Sequence, residues 1–167
     1  MPCERCAVPL AVLDTNIVVS ALTGVPSRCA LRHSPLGRPG GLMHPGGPPA
    51  QVMAAVMRDD LTPVLSRSIV AEYREVLCRP RLRLDPAKVD PVLATLLAIG
   101  TWLPDNALAP PPADLPDAGD WPFMACALAA GCPVVTGNLK HFPPRMGVAV
   151  MTAREWVGLG TAKALGR

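Results

Sequence analysis

Residues 11–19 read Ala11-Val12-Leu13-Asp14-Thr15-Asn16-Ile17-Val18-Val19, and the periodicity of the apolar residues changes within this stretch. The run from Leu10 to Leu13 is uninterrupted, which is typical of a strand buried on both faces of a parallel sheet. From Ile17 onwards the apolar residues recur at helical spacing. Asp14 therefore stands between a strand and a helix. It either caps the helix or faces a ligand, because ligands of open α/β sheets bind beyond the carboxyl ends of the strands.

The composition predicts a globular protein. The chain has 167 residues, of which 50% are hydrophobic and 4% aromatic. This is one domain's length and enough apolar material for a core without disulfides or metals, so we predict a single domain over residues 1–167. The 21 prolines and 14 glycines lie mostly between the periodic segments. A segment rich in both, at about residues 25–45, is interpreted as an insertion.

The formal net charge is +3, a mild excess that favours a polyanionic substrate without predicting one. No apolar run approaches the roughly 20 residues of a membrane span, and the N-terminus lacks a basic segment followed by an apolar signal core. We therefore expect a cytoplasmic protein that is not inserted in a membrane. The six cysteines do not follow zinc-finger spacing, so we interpret them as reduced thiols.

The rest of the chain alternates between predicted helices and strands, which favours an α/β fold with a mostly parallel sheet and right-handed crossovers. In such a sheet the carboxyl ends of the strands share one edge. The later strands are predicted at 62–66, 101–103, 133–136 and 148–151, and the later helices at 50–57, 67–78, 86–99, from an opening at 117–123, and at 152–159. The last helix begins with the capping box Thr152-x-x-Glu155.

A second acid, Glu72, lies on the predicted helix 67–78. The apolar stripe of this helix consists of Ile69, Tyr73, Val76 and Leu77. At about 100° per residue, Glu72 lies at the edge of that stripe and Glu75 points away from it. Glu72 is therefore the acid held near the sheet. The alternative is a Glu72 on the helix surface that pairs with Arg79 or Arg74.

A third acid, Asp120, comes just before a predicted helix, so it either caps that helix or projects into a site. The strand 133–136 ends at Thr136-Gly137-Asn138. These residues fall at the same edge of the predicted sheet as Asp14 and Glu72. Carboxylates that converge there repel one another unless a cation joins them. Hard oxygen donors suit Mg²⁺ or Mn²⁺ rather than zinc.

Four motifs follow one another along the chain. They are Val12-Leu13-Asp14-Thr15-Asn16, Ser68-Ile69-Val70-Ala71-Glu72-Tyr73, Asp117-x-x-Asp120-Trp121-Pro122-Phe123-Met124-Ala125, and Val135-Thr136-Gly137-Asn138-Leu139-Lys140-His141-Phe142. In this order they resemble the PIN domain family, close to the branch described as toxin components of bacterial toxin–antitoxin pairs. The ordered set spans most of the chain and is more specific than any one motif. The resemblance implies a three-layer α/β/α sandwich.

The resemblance also implies an endoribonuclease that depends on Mg²⁺ or Mn²⁺ and hydrolyses RNA phosphodiester bonds. Asp14, Glu72 and Asp120 are carried over as the catalytic, metal-binding acids. Asn138 stands near the position where the family often has a fourth acid, and it is expected to be a weaker ligand because an amide oxygen carries no charge. Four further side chains are predicted to position the water or the scissile phosphate, namely Thr15, Asn16, Thr136 and Lys140.

The toxin branch implies two protein partners, a small antitoxin and a second copy of the chain in a homodimer. The high apolar content of so short a chain also favours a dimer. Two other functions stay open. A phosphoaspartate hydrolase would use Asp14 as nucleophile, but it needs a second acid at the position of Asn16. A catalytically weak PIN-like module that binds RNA or a protein is supported only by Asn138.

Overall fold

The computed structural model describes residues 8–23, 46–113, 118–142 and 147–164. Several features singled out in the sequence lie outside these residues. They are the predicted insertion at about 25–45, Asp117 of the third motif, and Cys3, Cys6 and Cys29. The cysteines inside the described ranges, Cys78, Cys126 and Cys132, are free thiols. Burial raises the pKa of the Cys132 thiol to about 11, as expected of a small side chain packed among apolar residues.

The centre of the protein is a five-stranded sheet in which all neighbouring strands are parallel. In chain order the strands are β1 (Leu10–Leu13), β2 (Thr62–Leu65), β3 (Thr101–Trp102), β4 (Val134–Thr136) and β5 (Val150–Thr152), and their order across the sheet is β3-β2-β1-β4-β5. The run that the sequence marked as a buried strand is thus the central strand, and Ala11, Val12 and Leu13 are fully buried. The predicted parallel sheet is confirmed.

Helices connect these strands, because parallel neighbours require long crossovers. They are α1 (Thr15–Thr23), α2 (Pro48–Met57), α3 (Arg67–Leu77), α4 (Pro86–Ile99), α5 (Trp121–Ala130) and α6 (Ala153–Ala164). Together with the sheet they form the predicted three-layer α/β/α sandwich. Within the described ranges no helix combines the length and the apolar character needed to cross a membrane.

Element boundaries differ from the predictions by one or more residues, most clearly in α2, β5 and α6. Helix α2 begins two residues earlier, at Pro48, because proline suits the first turn of a helix, where its missing N–H is not needed. Strand β5 begins later than predicted and reaches Thr152, because its register with β4 pairs Val134 with Val150 and Thr136 with Thr152. Helix α6 continues beyond Leu159 to Ala164.

Side-chain caps begin α3 and α6, and the second of them is the predicted capping box. Ser66 accepts a hydrogen bond from the backbone amide of Ile69 at 3.3 Å and so begins α3 at the end of β2. At the start of α6, Glu155 accepts from the backbone amide of Thr152 at 2.7 Å, and the Thr152 hydroxyl accepts from the amide of Glu155 at 3.2 Å. Both caps place a helix start at the carboxyl edge of the sheet.

Gly100 sets how closely the end of α4 approaches the sheet. A Cβ atom at this position would lie 2.5 Å from Cδ1 of Leu65 and 2.7 Å from the carbonyl oxygen of Leu96. Because the second contact is with backbone, any larger residue would displace the end of α4 from β2. The short strand β3, which follows directly, is thereby held in register with β2, with Leu65 opposite Trp102.

Candidate functional site

Asp14 lies at the carboxyl end of β1 and is 8% exposed. Its Oδ2 accepts hydrogen bonds from the side-chain amide of Asn16 at 2.6 Å and from the hydroxyl of Thr136 at 2.5 Å. Its Oδ1 accepts a longer bond of 3.4 Å from the backbone amide of Asn16, in the geometry of a helix cap. The two interpretations of Asp14 are therefore compatible, because the same carboxylate begins α1 and faces the edge of the sheet.

The turn after β4 is tied to the same point. The side-chain oxygen of Asn16 accepts a hydrogen bond from the backbone amide of Gly137 at 2.8 Å, and Asn138 donates its backbone amide to the hydroxyl of Thr136 at 2.9 Å. A Cβ atom on Gly137 would lie 3.1 Å from that oxygen of Asn16, so glycine allows the close approach. Asn138 itself is half-buried. These bonds join the ends of β1 and β4 around Asp14.

Glu72 lies on α3 and contacts the residue that follows Asp14. Its Oε1 accepts a hydrogen bond of 2.7 Å from the hydroxyl of Thr15, the first residue of α1. The competing expectation was an ion pair between Glu72 and Arg79 or Arg74. Arg79 instead pairs with Glu75, with 2.7 Å between Nη2 and Oε1. The helix therefore separates its acids as its periodicity predicts, with Glu72 towards the sheet edge and Glu75 in solvent.

Tyr73 forms a hydrogen bond with the backbone next to Asp14. Its hydroxyl donates a 2.5 Å hydrogen bond to the carbonyl oxygen of Leu13, the residue that precedes Asp14. Burial raises the pKa of the Tyr73 phenol well above its ordinary value, so the phenol remains a donor. The sequence placed Tyr73 only in an apolar stripe. The available signal was its hydroxyl group, which needs a partner when the ring is buried among aliphatic residues.

Asp120 ends a short 3-10 turn, Ala118–Asp120, directly before α5. Its Oδ2 lies 3.2 Å from Nδ1 of His141, and its side chain is 18% exposed. His141 belongs to a second 3-10 turn, Leu139–His141, which also carries the exposed side chain of Lys140. Asp120 is thus held beside a basic group from the last of the four motifs.

Electrostatics link the three acids. Burial raises the pKa of Asp14, and the hydrogen bonds from Thr136 and Asn16 and the charge of His141 oppose this shift. The pKa of Glu72 is raised first by burial and then by the negative charges of Asp14 and Asp120. Glu72 therefore lies in the electrostatic field of both Asp14 and Asp120. A divalent cation would relieve this repulsion, and the donors are the hard oxygens that Mg²⁺ and Mn²⁺ prefer.

The three acidic side chains do not surround a common point in this structure. Across the described ranges, no group of three or more His, Cys, Asp or Glu side chains has the spacing to hold a metal as it stands. The side chains of three of the eight predicted site residues, Asp14, Asn16 and Thr136, form one hydrogen-bonded group. Thr15 and Glu72 form a separate hydrogen-bonded pair. The oxygen donor set fits a hard divalent ion, and Glu72 would have to exchange its bond to Thr15 for such a ligand.

The comparison with protein families identifies the class of protein that this fold and site define. A family model described as PIN domain matches residues 10–140, which include β1 and all three acids. The chain belongs to the PIN domain family. PIN domains are generally metal-dependent nucleases, and they commonly bind RNA. Comparisons with curated proteins and with solved structures found no match to this chain.

Proposed function

We propose that the protein is an endoribonuclease that depends on Mg²⁺ or Mn²⁺ and cleaves RNA at the edge of the sheet that carries Asp14, Glu72 and Asp120. The observation that carries this proposal is that three separated acids lie at one edge of the sheet, where the negative charges of Asp14 and Asp120 raise the pKa of Glu72. Such an arrangement stabilises a bound cation and costs free energy without one. Such a cluster of acids is therefore typical of a site that binds a divalent cation together with a phosphodiester.

The three acids would hold the ion. When bound, the ion supplies a Lewis acid for the phosphodiester and activates water as the nucleophile. Asn138 would contribute a weaker ligand without charge, so one ion is expected to bind more firmly than a second. Hydrolysis by in-line attack would leave a 5′-phosphate and a 3′-hydroxyl.

The predicted positioning residues have two kinds of role in this proposal. Asn16 and Thr136 orient the Asp14 carboxylate through their hydrogen bonds, and Thr15 does the same for Glu72. Each hydroxyl or amide could turn towards a water or a phosphate oxygen once the carboxylate binds an ion. Lys140 is exposed on the 3-10 turn that also carries His141, where its charge would attract the RNA backbone.

The test is cleavage of purified single-stranded RNA by the full chain as Mg²⁺ or Mn²⁺ is added. We expect Asp14→Asn to lower the metal-dependent rate by about 100-fold or more, since one anionic ligand is lost from the centre of charge stabilisation. The matched control is Asp60→Asn, because Asp60 is an exposed acid paired with Arg58 and precedes β2, at the end of the strand opposite to the edge with the three acids. Equal rates for Asp14→Asn and the parent would place the chemistry elsewhere.

We further propose that the protein is the toxin of a toxin–antitoxin pair and forms a homodimer. The support is the resemblance of the four motifs to that branch and the accumulation of negative charge at an accessible edge of the sheet. An antitoxin would cover this edge and present a basic side chain to the acids. Copurification of a small protein encoded beside the chain's gene, and light scattering at micromolar concentration, test both parts. A monomer without a copurifying partner would contradict them.

A further inference from the structure

A groove on the opposite side of α3 from Glu72 combines arginines with an exposed aromatic ring. Its volume is about 330 Å³, and its lining consists of Arg67, Val70, Ala71, Arg74, Leu97 and Trp102. These residues come from α3, α4 and β3, so three consecutive elements build one surface. We refer to this surface as the arginine groove.

The charge of the groove is uncompensated. Arg67 and Arg74 are exposed, and neither forms an ion pair with another residue in the part of the chain that the structure describes. No acidic residue is among those that line it. By contrast Arg79, two residues beyond the end of α3, is paired with Glu75. The groove therefore presents two guanidinium groups to solvent, and an anion is the ligand that complements them.

The aromatic ring is fixed and open. Trp102 is 46% exposed, although it is one of the largest apolar side chains. Its indole N–H donates a hydrogen bond to the carbonyl oxygen of Leu97 at 3.2 Å. This bond satisfies the polar atom and holds the ring in place, so that the exposed part of the ring remains available for stacking. Guanidinium groups beside such a ring are typical of surfaces that bind single-stranded nucleic acid.

The groove and the acids lie within the span of a short strand of nucleic acid. Arg67 is separated from Glu72 by about 140° around α3, at about 100° per residue, so a helix width of about 10–12 Å lies between the two surfaces. Arg67 is also the first residue of α3, directly after the carboxyl end of β2. A strand that lies at the acids can therefore pass over the start of α3 and enter the groove.

We propose that the arginine groove binds single-stranded RNA next to the cleavage site, with one base stacked on Trp102 and phosphates on Arg67 and Arg74. The inference rests on the proposed ribonuclease function and deepens it, because it assigns a surface outside the three acids that would hold the RNA strand. A base offers a flat π-face to the ring, and its backbone supplies anions at the spacing of neighbouring nucleotides. The groove distinguishes single strands because a paired base cannot stack on a side chain.

The experiment measures binding without cleavage. A fluorescein-labelled single-stranded RNA of about 12 nucleotides is titrated with the full chain in EDTA, and anisotropy gives the Kd at salt concentrations between about 50 and 200 mM. We expect Trp102→Ala to raise the Kd by about 5- to 100-fold and Trp102→Phe to recover most of the affinity. We expect the double variant Arg67→Ala/Arg74→Ala to reduce the slope of log Kd against log salt by about 1.4.

Controls separate the groove from general effects. Arg154→Ala removes one exposed positive charge from α6 and should leave both the affinity and the salt slope near those of the parent. The two arginines are exposed, so their double variant tests the proposal even if Trp102→Ala alters folding. A duplex of the same sequence should bind the parent and Trp102→Ala equally.

The outcomes distinguish this inference from the proposed function. Unchanged affinity in all groove variants of a protein that binds and cleaves RNA would overturn the inference alone. If the variants change the oligomeric state and not the RNA affinity, the groove contacts a second copy and the inference is wrong. If the parent binds no RNA at all, both the inference and the ribonuclease function fail.

Discussion

Helix α3 separates two surfaces of opposite charge. On one side, Glu72 accepts a hydrogen bond from Thr15, the residue that follows Asp14. On the other side, Arg67 and Arg74 line the arginine groove with Trp102. The acids are partly or fully buried, and Asp14 and Asp120 raise the pKa of Glu72, whereas the arginines are exposed. Burial, more than the number of charges, therefore distinguishes the two surfaces. The buried acids suit a cation, and the exposed arginines suit an extended polyanion.

The largest expected effect is on catalysis by the acidic side. Glu72→Gln and Asp120→Asn should each lower the metal-dependent kcat by about 100-fold or more, while Arg67→Ala should raise KM and leave kcat nearly unchanged. The reason is that the acids would act on the reacting phosphate and the arginines only on the bound strand. Steady-state kinetics on single-stranded RNA separates the two constants.

The matched control on the same helix is Glu75→Gln, which removes an exposed acid. It should change neither constant. Cleavage at the parent rate by the combined Asp14→Asn/Glu72→Gln/Asp120→Asn variant would show that this side of the helix is not the catalytic one.

The second effect concerns stability. Tyr73→Phe should lower the free energy of unfolding by about 1–3 kcal/mol, because the buried carbonyl oxygen of Leu13 loses its partner. Trp102→Phe on the other side of α3 should change it far less, since the ring is half exposed. Urea unfolding followed by circular dichroism measures both variants. Equal losses would mean that the tyrosine hydroxyl does not secure the end of β1.

A third effect sharpens the electrostatic contrast. Asn138→Asp would add a fourth carboxylate to the acidic side and should tighten Mn²⁺ binding by about 30-fold, the equivalent of about 2 kcal/mol between a divalent cation and a unit negative charge about 4 Å apart in water. The metal-free variant should be less stable because of the added repulsion. Calorimetric titration of Mn²⁺ gives affinity and stoichiometry. If both equal those of the parent, the side chain of Asn138 does not face the ion.

The smallest effect is a dependence of stability on pH. Burial raises the pKa of Asp14 above its ordinary value of 3.8. The protonated group costs no stability at low pH, and the free energy of unfolding falls as the carboxylate ionises. Without metal, Asp14→Asn should therefore gain stability relative to the parent as the pH rises from about 4 towards 7. Arg67→Ala should show no such trend. Thermal unfolding in EDTA at several pH values tests this, and a constant difference would contradict it.

Local sequence determined much of the fold. The change of period within residues 11–19 identified the central strand, the first helix and the acid between them, because both kinds of burial leave a short-range pattern. Alternation of strands and helices then placed Asp14, Glu72 and Asp120 at one edge of a parallel sheet. The capping box at Thr152 was also readable, because both of its partners lie within one helical turn.

Contacts between distant residues were decided only by the tertiary structure. The bonds from Thr15 to Glu72, from Tyr73 to Leu13 and from Thr136 to Asp14 join residues that are 57 to 122 positions apart. Periodicity tells which face of an element is buried, but it does not tell which polar atoms meet across two elements. The arginine groove is invisible to it for the same reason. Its charge and its ring come from three elements that are neighbours only because crossovers stack α3 and α4 beside β3.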